Sequence, residues 1–204
     1  SRGAYTARAL AGMVAAQGLL QPALATDPAD KYDNAVRAWF RYRHGSDSTL
    51  ICRMLDRLDE FVNIRSCFGS GDLPDDAFVP VDAISAVAVW DTVGALGIPL
   101  YNLSGRELDL FGFADTRLSP KVGLGLHAVS VDEQRKSFQP TLWDSAANVT
   151  QALFAGGHAD VGGGYAEHGL SDVPLLWFVD RLQHPDIGLA FQRAPQSPVT
   201  PDSC

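Results

Sequence analysis

The chain has 204 residues, of which 46% are hydrophobic and 20% charged, a composition typical of one globular domain with a substantial core. Its formal net charge of -8 argues against a nucleic-acid-binding surface, because phosphate binding needs a basic patch and the 16 Lys and Arg residues are scattered. No apolar run approaches the roughly 20 residues that a membrane-spanning helix needs. The sequence therefore predicts a soluble protein.

The first part of the chain is predicted to be helical. Apolar residues at helical spacing indicate a first helix over residues 3–20. A second helix is predicted from residue 28 to about residue 42, because Asp27 is a good cap and Pro28 suits the first helical position. A third is predicted over residues 48–64, followed by an exposed loop over residues 66–76, which are rich in Gly, Asp and Ser.

Two apolar runs, at residues 84–90 and 149–155, are typical of strands buried on both faces of a parallel sheet. Polar and glycine-rich sequence follows each run directly, DTVGALG after the first and GGHADVGGGY after the second. Ligands and catalytic groups in open α/β sheets collect at the carboxyl ends of the strands. Asp91 and His158 therefore fall where chemistry is expected.

The remaining segments are predicted to be helical or irregular. Residues 126–138 favour a helix rather than a strand, and residues 171–182 favour a helix with Ser171 as its cap. The tail over residues 185–204 is expected to be irregular.

The three cysteines, Cys52, Cys67 and Cys204, form no metal-binding pattern. Three reduced thiols are favoured by their odd number, and a disulfide between the first two stays open. Residues 102–104 and 148–150 match the N-glycosylation acceptor, which matters only in a secreted eukaryotic chain.

The chain opens on SRGA at the start of its first helix, which matches the second half of a GxSxG nucleophile elbow. A serine nucleophile needs a base, and the base needs a third group to hold its tautomer. Ser1, Asp91 and His158 occur in the order of nucleophile, acid and base in α/β hydrolases. Each has a simpler interpretation alone, as a helix cap, a turn residue and a structural histidine, and spacing alone leaves both interpretations open.

Other residues compete for functional roles. Asp160, two residues after His158, is an alternative acid, although we favour Asp91. The glycines at 162–164 are interpreted as a turn that needs positive φ, because no P-loop lysine follows them. His127 with Asp132 and Glu133 has the residue types of a metal site but no recognised ligand spacing, so no metal is expected.

Several side chains near these candidates are given structural roles. Glu133 and Arg135 are expected to form a solvated face or a structural ion pair. Trp90 and Trp143 are core candidates. The remaining histidines are expected at the surface: His44, His168 and His184.

Four stretches of the chain resemble the α/β-hydrolase family typified by the phospholipase effectors of type VI secretion: SRGAYTARALAGMVAAQGLL, VAVWDTVGALGIP, HAVSVDEQRKSFQPTLW and FAGGHADVGGGY. They span residues 1 to about 182. The family's first motif looks like GFSRGAYTAR, so the Gly-Phe before Ser1 is missing here. The resemblance implies an α/β-hydrolase-like parallel sheet with helices on both faces. Residues 1–184 would be the C-terminal portion of that domain, lacking its N-terminal strands, and residues 185–204 a tail or linker.

The resemblance also implies roles for individual residues. Ser1 corresponds to the nucleophile, Asp91 to the acid and His158 to the general base, and the backbone N–H of Arg2 would be one oxyanion donor. The second donor normally comes from an earlier loop that is not in this chain. The expected reaction is hydrolysis of an acyl ester or phospholipid through an acyl-enzyme, without a cofactor.

Two expectations concern what this chain does not contain. A separate polypeptide is a candidate source of the preceding strands, and membrane contact is expected only through regions outside this chain. The family resemblance also makes a secreted effector the expected setting.

Two other function classes remain open. Cleavage directly before Ser1 would make an N-terminal-nucleophile amidohydrolase, in which the α-amine acts as the base. A chain that keeps the fold without a complete oxyanion hole would be a non-catalytic binding module.

Overall fold

The structure is a computed structural model that describes residues 2–45, 73–93, 100–101, 107–108 and 116–192. The helices are α1 (Arg2–Gln17), α2 (Pro28–Gly45), α3 (His158–Gly162) and α4 (Gly169–Gln183). The strands are β1 (Leu19–Leu20), β2 (Phe78–Val79), β3 (Ile84–Trp90), β4 (Leu100–Tyr101), β5 (Glu107–Leu108), β6 (Val122–Ser130) and β7 (Val149–Phe154). The chain divides into two compact units, Gly12–Asp82 and the remainder.

The larger unit is built on a parallel sheet of three described strands in the order β3-β6-β7. Trp90 at the end of β3 lies opposite Ala128, and Ser130 at the end of β6 lies opposite Phe154. The carboxyl ends of all three strands therefore meet at one edge of the sheet, where an α/β fold places its ligands.

Helices of the larger unit cover both faces of this sheet. Ala4 and Ala11 of α1 pack with Val87 and Val89 on one face, where their small side chains allow close approach. On the other face, Leu126 and Ala128 pack against Val161 of α3 and Phe178 of α4. The alternation of β3 side chains between two apolar clusters confirms the predicted α/β class and a strand with apolar packing on both faces at residues 84–90. The same prediction is wrong for β7, which is only partly buried and has Leu153 exposed.

The smaller unit has a separate core and a separate sheet. Strands β1 and β2 pair antiparallel, and Ala38 of α2 packs with Leu73, Ala77 and Phe78. Arg41 lies over the Phe78 ring and pairs with Asp75. None of the residues proposed below for catalysis lies in this unit.

The predicted helix over residues 126–138 is wrong. Strand β6 occupies Val122–Ser130, and a turn with one short 3-10 helix, Lys136–Phe138, follows it. His127 and Ser130, the polar residues of this strand, are both buried and hydrogen-bonded inside the sheet. Glycine at position 125 of β6 leaves room for Leu118, since a Cβ there would lie 2.6 Å from Leu118 Cδ2.

The predicted helices over residues 3–20, 28–42 and 171–182 and the two predicted strands are confirmed with shifted ends. The predicted exposed loop over residues 66–76 lies outside the described residues as far as residue 72, and beyond it Leu73 is buried and a short 3-10 helix begins at Asp75. Helix α1 ends at Gln17, and Gly18 follows with a φ of 90° that favours glycine. Helix α4 begins at Gly169 with His168 as its cap, so the predicted cap at Ser171 is wrong. The Ser171 hydroxyl instead donates to the His168 carbonyl at 2.9 Å.

Some predictions fall outside the described residues: the helix over residues 48–64, the three cysteines, the acceptor site at 102–104 and the tail beyond residue 192. At the second acceptor site, the Asn148 amide donates to the Val122 carbonyl at 2.7 Å and is part of the fold. No helix in the described ranges is long and apolar enough to cross a membrane.

Candidate active site

Asp91 follows directly on β3 and is fully buried. Its φ of 34° lies in a region that residues other than glycine rarely adopt, at a cost of about 1–3 kcal/mol. Its N–H donates to the Ala128 carbonyl of the neighbouring strand at 2.7 Å. This backbone conformation turns the chain out of the sheet at the edge where the strands end.

The Asp91 carboxylate accepts three hydrogen bonds. Ser130, at the end of β6, donates its backbone N–H to Oδ1 and its hydroxyl to Oδ2, each at 2.9 Å. His158 Nδ1 lies 2.6 Å from Oδ2. Both oxygens of this carboxylate therefore have hydrogen-bond partners although it has no exposed surface.

His158 follows β7 and is the first residue of α3, and its side chain is 14% exposed. The bond from Nδ1 to Asp91 makes Nε2 the unprotonated nitrogen of the neutral ring. The Phe138 ring packs edge-on against the imidazole, with centroids 5.0 Å apart. The side chain is therefore fixed in orientation while one side of it stays accessible.

Asp160, the alternative acid, bonds the backbone and not the His158 ring. Its Oδ2 accepts the Gly157 N–H at 2.8 Å, which closes the turn that leads into α3. That turn needs glycine at 156, where φ is 98° and a Cβ would lie 2.5 Å from the Asp160 Cβ. The carboxylate that bonds the His158 ring is that of Asp91.

The turn after β6 braces the backbone at His158. Glu133 Oε2 accepts the His158 N–H at 3.2 Å. Arg135 donates to both Glu133 oxygens, at 2.8 and 2.6 Å, and these bonds hold the pKa of Glu133 well below its usual range. The predicted ion pair is thus present, and it lies on a turn rather than on a helix.

Two further contacts join the same turn to the end of β7. Asp132 Oδ2 accepts the Gly156 N–H at 2.7 Å, and the Gly156 carbonyl accepts the Asp132 N–H at 3.2 Å. The Arg135 guanidinium stacks 3.8 Å from the centroid of the Phe138 ring. The segment predicted as a helix is therefore the support of the His158 loop.

A comparison with protein-family models matches residues 1–181 to the catalytic domain of the Tle1-like phospholipase effectors of the type VI secretion system (T6SS). The chain belongs to this family. Membership makes it an ester-hydrolysing domain of the lipase and phospholipase kind, and it confirms the predicted family. A search of curated proteins and a search of solved structures each found no match.

Within this Tle1-like domain, Ser1 lies outside the described residues. Arg2 is the first residue of α1, whose first N–H groups have no partner within the helix. Helix α1 packs on the sheet through Ala4 and Ala11. The structure thus brings Asp91 and His158 together and describes the helix that follows the candidate nucleophile.

His127 lies in β6 on the side of the sheet that α1 covers, and it is fully buried. Its Nε2 accepts the Thr92 N–H at 3.0 Å, and its Nδ1 lies 3.2 Å from Gln151 Oε1. Burial, the largest effect, lowers the pKa of His127 to about 4. Asp132 and Glu133 bind backbone and Arg135 instead, and the described ranges contain no group of three metal-ligating side chains.

The remaining candidates have structural roles. Gly163 ends α3 with a φ of 77°, as the predicted glycine turn requires. His168 is exposed and bonds Asp172 at 2.8 Å, and His184 lies 3.2 Å from Asp186, which confirms the surface placement of both. The His44 side chain lies outside the described part. Trp143 is buried, and the Trp90 ring packs on Phe178 with centroids 4.4 Å apart.

Two residues of this site were not found from the sequence. Ser130 donates two hydrogen bonds to Asp91, which follows β3. The Gln151 side chain, in β7, contacts His127 in β6. The signal available was position: Ser130 ends a strand beside the one that Asp91 follows. It was missed because the predicted helix over residues 126–138 removed that strand.

Proposed function

We propose that this domain hydrolyses an acyl ester of a phospholipid through a covalent acyl-enzyme, with Ser1 as nucleophile, His158 as general base and Asp91 as the acid. The observation that carries the proposal is the 2.6 Å hydrogen bond between His158 Nδ1 and Asp91 at the carboxyl edge of the sheet. The family match supports the phospholipid substrate and a secreted effector as the setting. Ser1 directly precedes α1, as a nucleophile elbow requires.

The reaction begins when the Ser1 hydroxyl attacks the ester carbonyl and His158 Nε2 takes its proton. The resulting imidazolium is stabilised by the ionised Asp91 and then gives that proton to the leaving alcohol as the tetrahedral intermediate collapses. Water, deprotonated by the same nitrogen, attacks the acyl-enzyme, and His158 returns the proton to the Ser1 oxygen as the bond to the acyl group breaks and the fatty acid is released. Asp91 orients the imidazole throughout and does not itself take the proton.

The oxyanion of each intermediate needs donors that are already in place. The backbone N–H of Arg2 is proposed as one of them, because it opens α1 and benefits from the positive end of the helix dipole. Loss of one such donor typically lowers turnover about 10²–10³-fold. The second donor of such a hole normally comes from a strand-to-helix loop that precedes the nucleophile.

A fluorophosphonate probe tests the triad, because it reacts only with an activated serine. We expect the probe to label Ser1, and we expect labelling to disappear in His158→Ala. Asp160→Asn is the matched control and should keep labelling, since Asp160 bonds the Gly157 backbone. Labelling that persists unchanged in His158→Ala would overturn the triad.

The same assay separates the other two function classes. An N-terminal nucleophile would lose activity when its α-amine is acetylated, whereas the triad enzyme should tolerate that change. A binding module would leave the probe unreacted.

The substrate class is tested by fatty-acid release from vesicles of diacyl phosphoglycerides, with a water-soluble acyl ester as comparison. Turnover of the soluble ester with none of the phospholipid would contradict the phospholipase assignment.

A further inference from the structure

We propose that His127 is a positioning residue that holds the turn carrying Asp91, by accepting the Thr92 amide proton with a neutral imidazole of fixed tautomer. Thr92 follows Asp91 directly, and its N–H lies 3.0 Å from His127 Nε2. This inference rests on the proposed role of Asp91, and its test includes a measurement that does not depend on activity.

The tautomer of His127 follows from its partners on both sides. An N–H can only donate, so the Thr92 amide requires Nε2 to be unprotonated. On the other side, Gln151 Oε1 accepts the Trp143 N–H at 2.9 Å while Gln151 Nε2 donates to the Trp143 carbonyl at 3.0 Å. The Trp143 backbone thus fixes the amide so that its oxygen faces Nδ1, which must carry the proton.

The charged groups around His127 also favour the neutral ring. Burial and the nearby Arg8 of α1 lower its pKa, while the bond to Gln151 and the charge of Asp91 raise it, and the result is about 4. The Arg8 guanidinium stacks 4.5 Å from the centroid of the Trp143 ring, which itself packs edge-on against His127 at 5.7 Å. At neutral pH the ring therefore keeps its acceptor nitrogen.

Thr92 is the link between this buried ring and Asp91. Its N–H is held by His127, and its carbonyl accepts the Thr141 N–H at 2.7 Å. Asp91 itself has the strained φ of 34°, which persists only where the residues around it over-determine the backbone. Loss of the Thr92 contact would let the turn relax and would move the carboxylate relative to Ser130 and His158.

Two substitutions separate hydrogen bonding from packing. His127→Phe keeps a ring of similar volume but removes the acceptor, so the buried Thr92 N–H loses its partner. His127→Gln places an amide oxygen near the position of Nε2, where it can accept the Thr92 N–H. We expect His127→Phe to lower kcat about 10–100-fold with KM within about twofold, and His127→Gln to recover most of that loss.

Native-state hydrogen exchange of the Thr92 amide gives the readout that does not need activity. We expect exchange about 10–100-fold faster in His127→Phe than in the wild type, and close to the wild-type rate in His127→Gln. His184→Phe, which removes an exposed imidazole directly after α4 whose partner Asp186 is also exposed, is the matched control and should change neither measurement. If the wild type proves inactive, these exchange rates still decide whether His127 holds the turn.

If kcat and Thr92 amide protection fall equally in His127→Phe and His127→Gln, the ring acts through packing alone and the proposal is overturned. Wild-type kcat and a wild-type exchange rate in His127→Phe would also overturn it. If His127→Phe does not fold, His127→Asn replaces it, because the shorter amide reaches only the position of Nδ1. The asparagine variant should then be impaired where the glutamine variant is not, and equal behaviour of the two would contradict the acceptor role.

Discussion

Two histidines lie near the same edge of the sheet, in opposite environments. His158 is partly exposed and its Nδ1 faces the ionised Asp91 at 2.6 Å. His127 is fully buried, and its two ring nitrogens face a backbone N–H and a carboxamide oxygen. One imidazole has an anionic partner and the other has neutral partners.

The contrast shows how surroundings assign a role to a side chain. A carboxylate stabilises the imidazolium, so His158 is suited to a step in which it gains a proton. Neutral partners and burial disfavour the imidazolium, so His127 is suited to a fixed hydrogen bond that must not change during turnover. Variants that alter one histidine should therefore fail in a different way from variants that alter the other.

The largest effect is expected from the pair formed by Asp91 and His158. Asp91→Asn keeps the shape of the side chain but stabilises the wrong tautomer and removes the charge that supports the imidazolium. We expect kcat to fall by about 10⁴–10⁶, measured as fatty-acid release, and His158→Ala to match it. A loss under about tenfold for Asp91→Asn would assign the acid to Asp160 instead.

The proximity of Asp91 and His158 could be predicted because the position of each depends only on the sequence directly before it. Asp91 and His158 each follow an apolar run long enough for one buried strand, and parallel strands bring such positions to one edge. The physical rule needs only the strand ends, not the intervening chain. The wrongly predicted helix over residues 126–138 therefore did not affect the predicted proximity of Asp91 and His158.

The supporting contacts were not predictable in the same way. In β6, the sequence GLGLHAVS carries His127 and Ser130, which have the polarity of surface residues but are buried among partners distant in the chain. Those partners are Thr92, Asp91 and Gln151, and no local pattern identifies them. Tertiary hydrogen bonding overrode the local preference, as it does where polar groups line a site.

The next effect is on stability and concerns the buried histidine. The pKa of His127 is about 4 in the folded chain against 6.5 for the ordinary group, so the unfolded chain binds more protons between these values. The stabilisation that the neutral His127 ring gives the folded chain is complete above pH 6.5 and is lost as the pH falls towards 4. That loss amounts to about 3 kcal/mol of unfolding free energy.

Urea unfolding of the wild type and His127→Gln at pH 7.0 and pH 4.5 measures this effect as a difference between the two proteins. The variant lacks the titrating ring, so its free energy of unfolding should fall less between the two pH values. Parallel decreases in both proteins would contradict the buried neutral histidine. The comparison of the two histidines would then lose its electrostatic basis.

A smaller effect is expected from Ser130→Ala. The variant removes the hydroxyl bond to Asp91 Oδ2 and keeps the backbone bond to Oδ1. Because a bond to a charged group contributes about 1.5–3 kcal/mol, we expect kcat to fall about 10–100-fold with little change in KM. Ser171→Ala is the control, since its hydroxyl donates to a backbone carbonyl on the surface. Equal kcat values in the two variants would mean that Asp91 does not need the hydroxyl.

The smallest effect is expected at Glu133, whose carboxylate holds the His158 backbone N–H. Glu133→Gln keeps an acceptor oxygen but loses the charged bonds to Arg135, so kcat should fall only about two- to threefold. Glu133→Ala removes the acceptor as well and should cost about tenfold. Exposed Glu167 provides the control through Glu167→Ala. Because His127 is fixed through both ring nitrogens, neither Glu133 variant should change Thr92 amide exchange, and faster exchange there would show that the two histidines are not independently held.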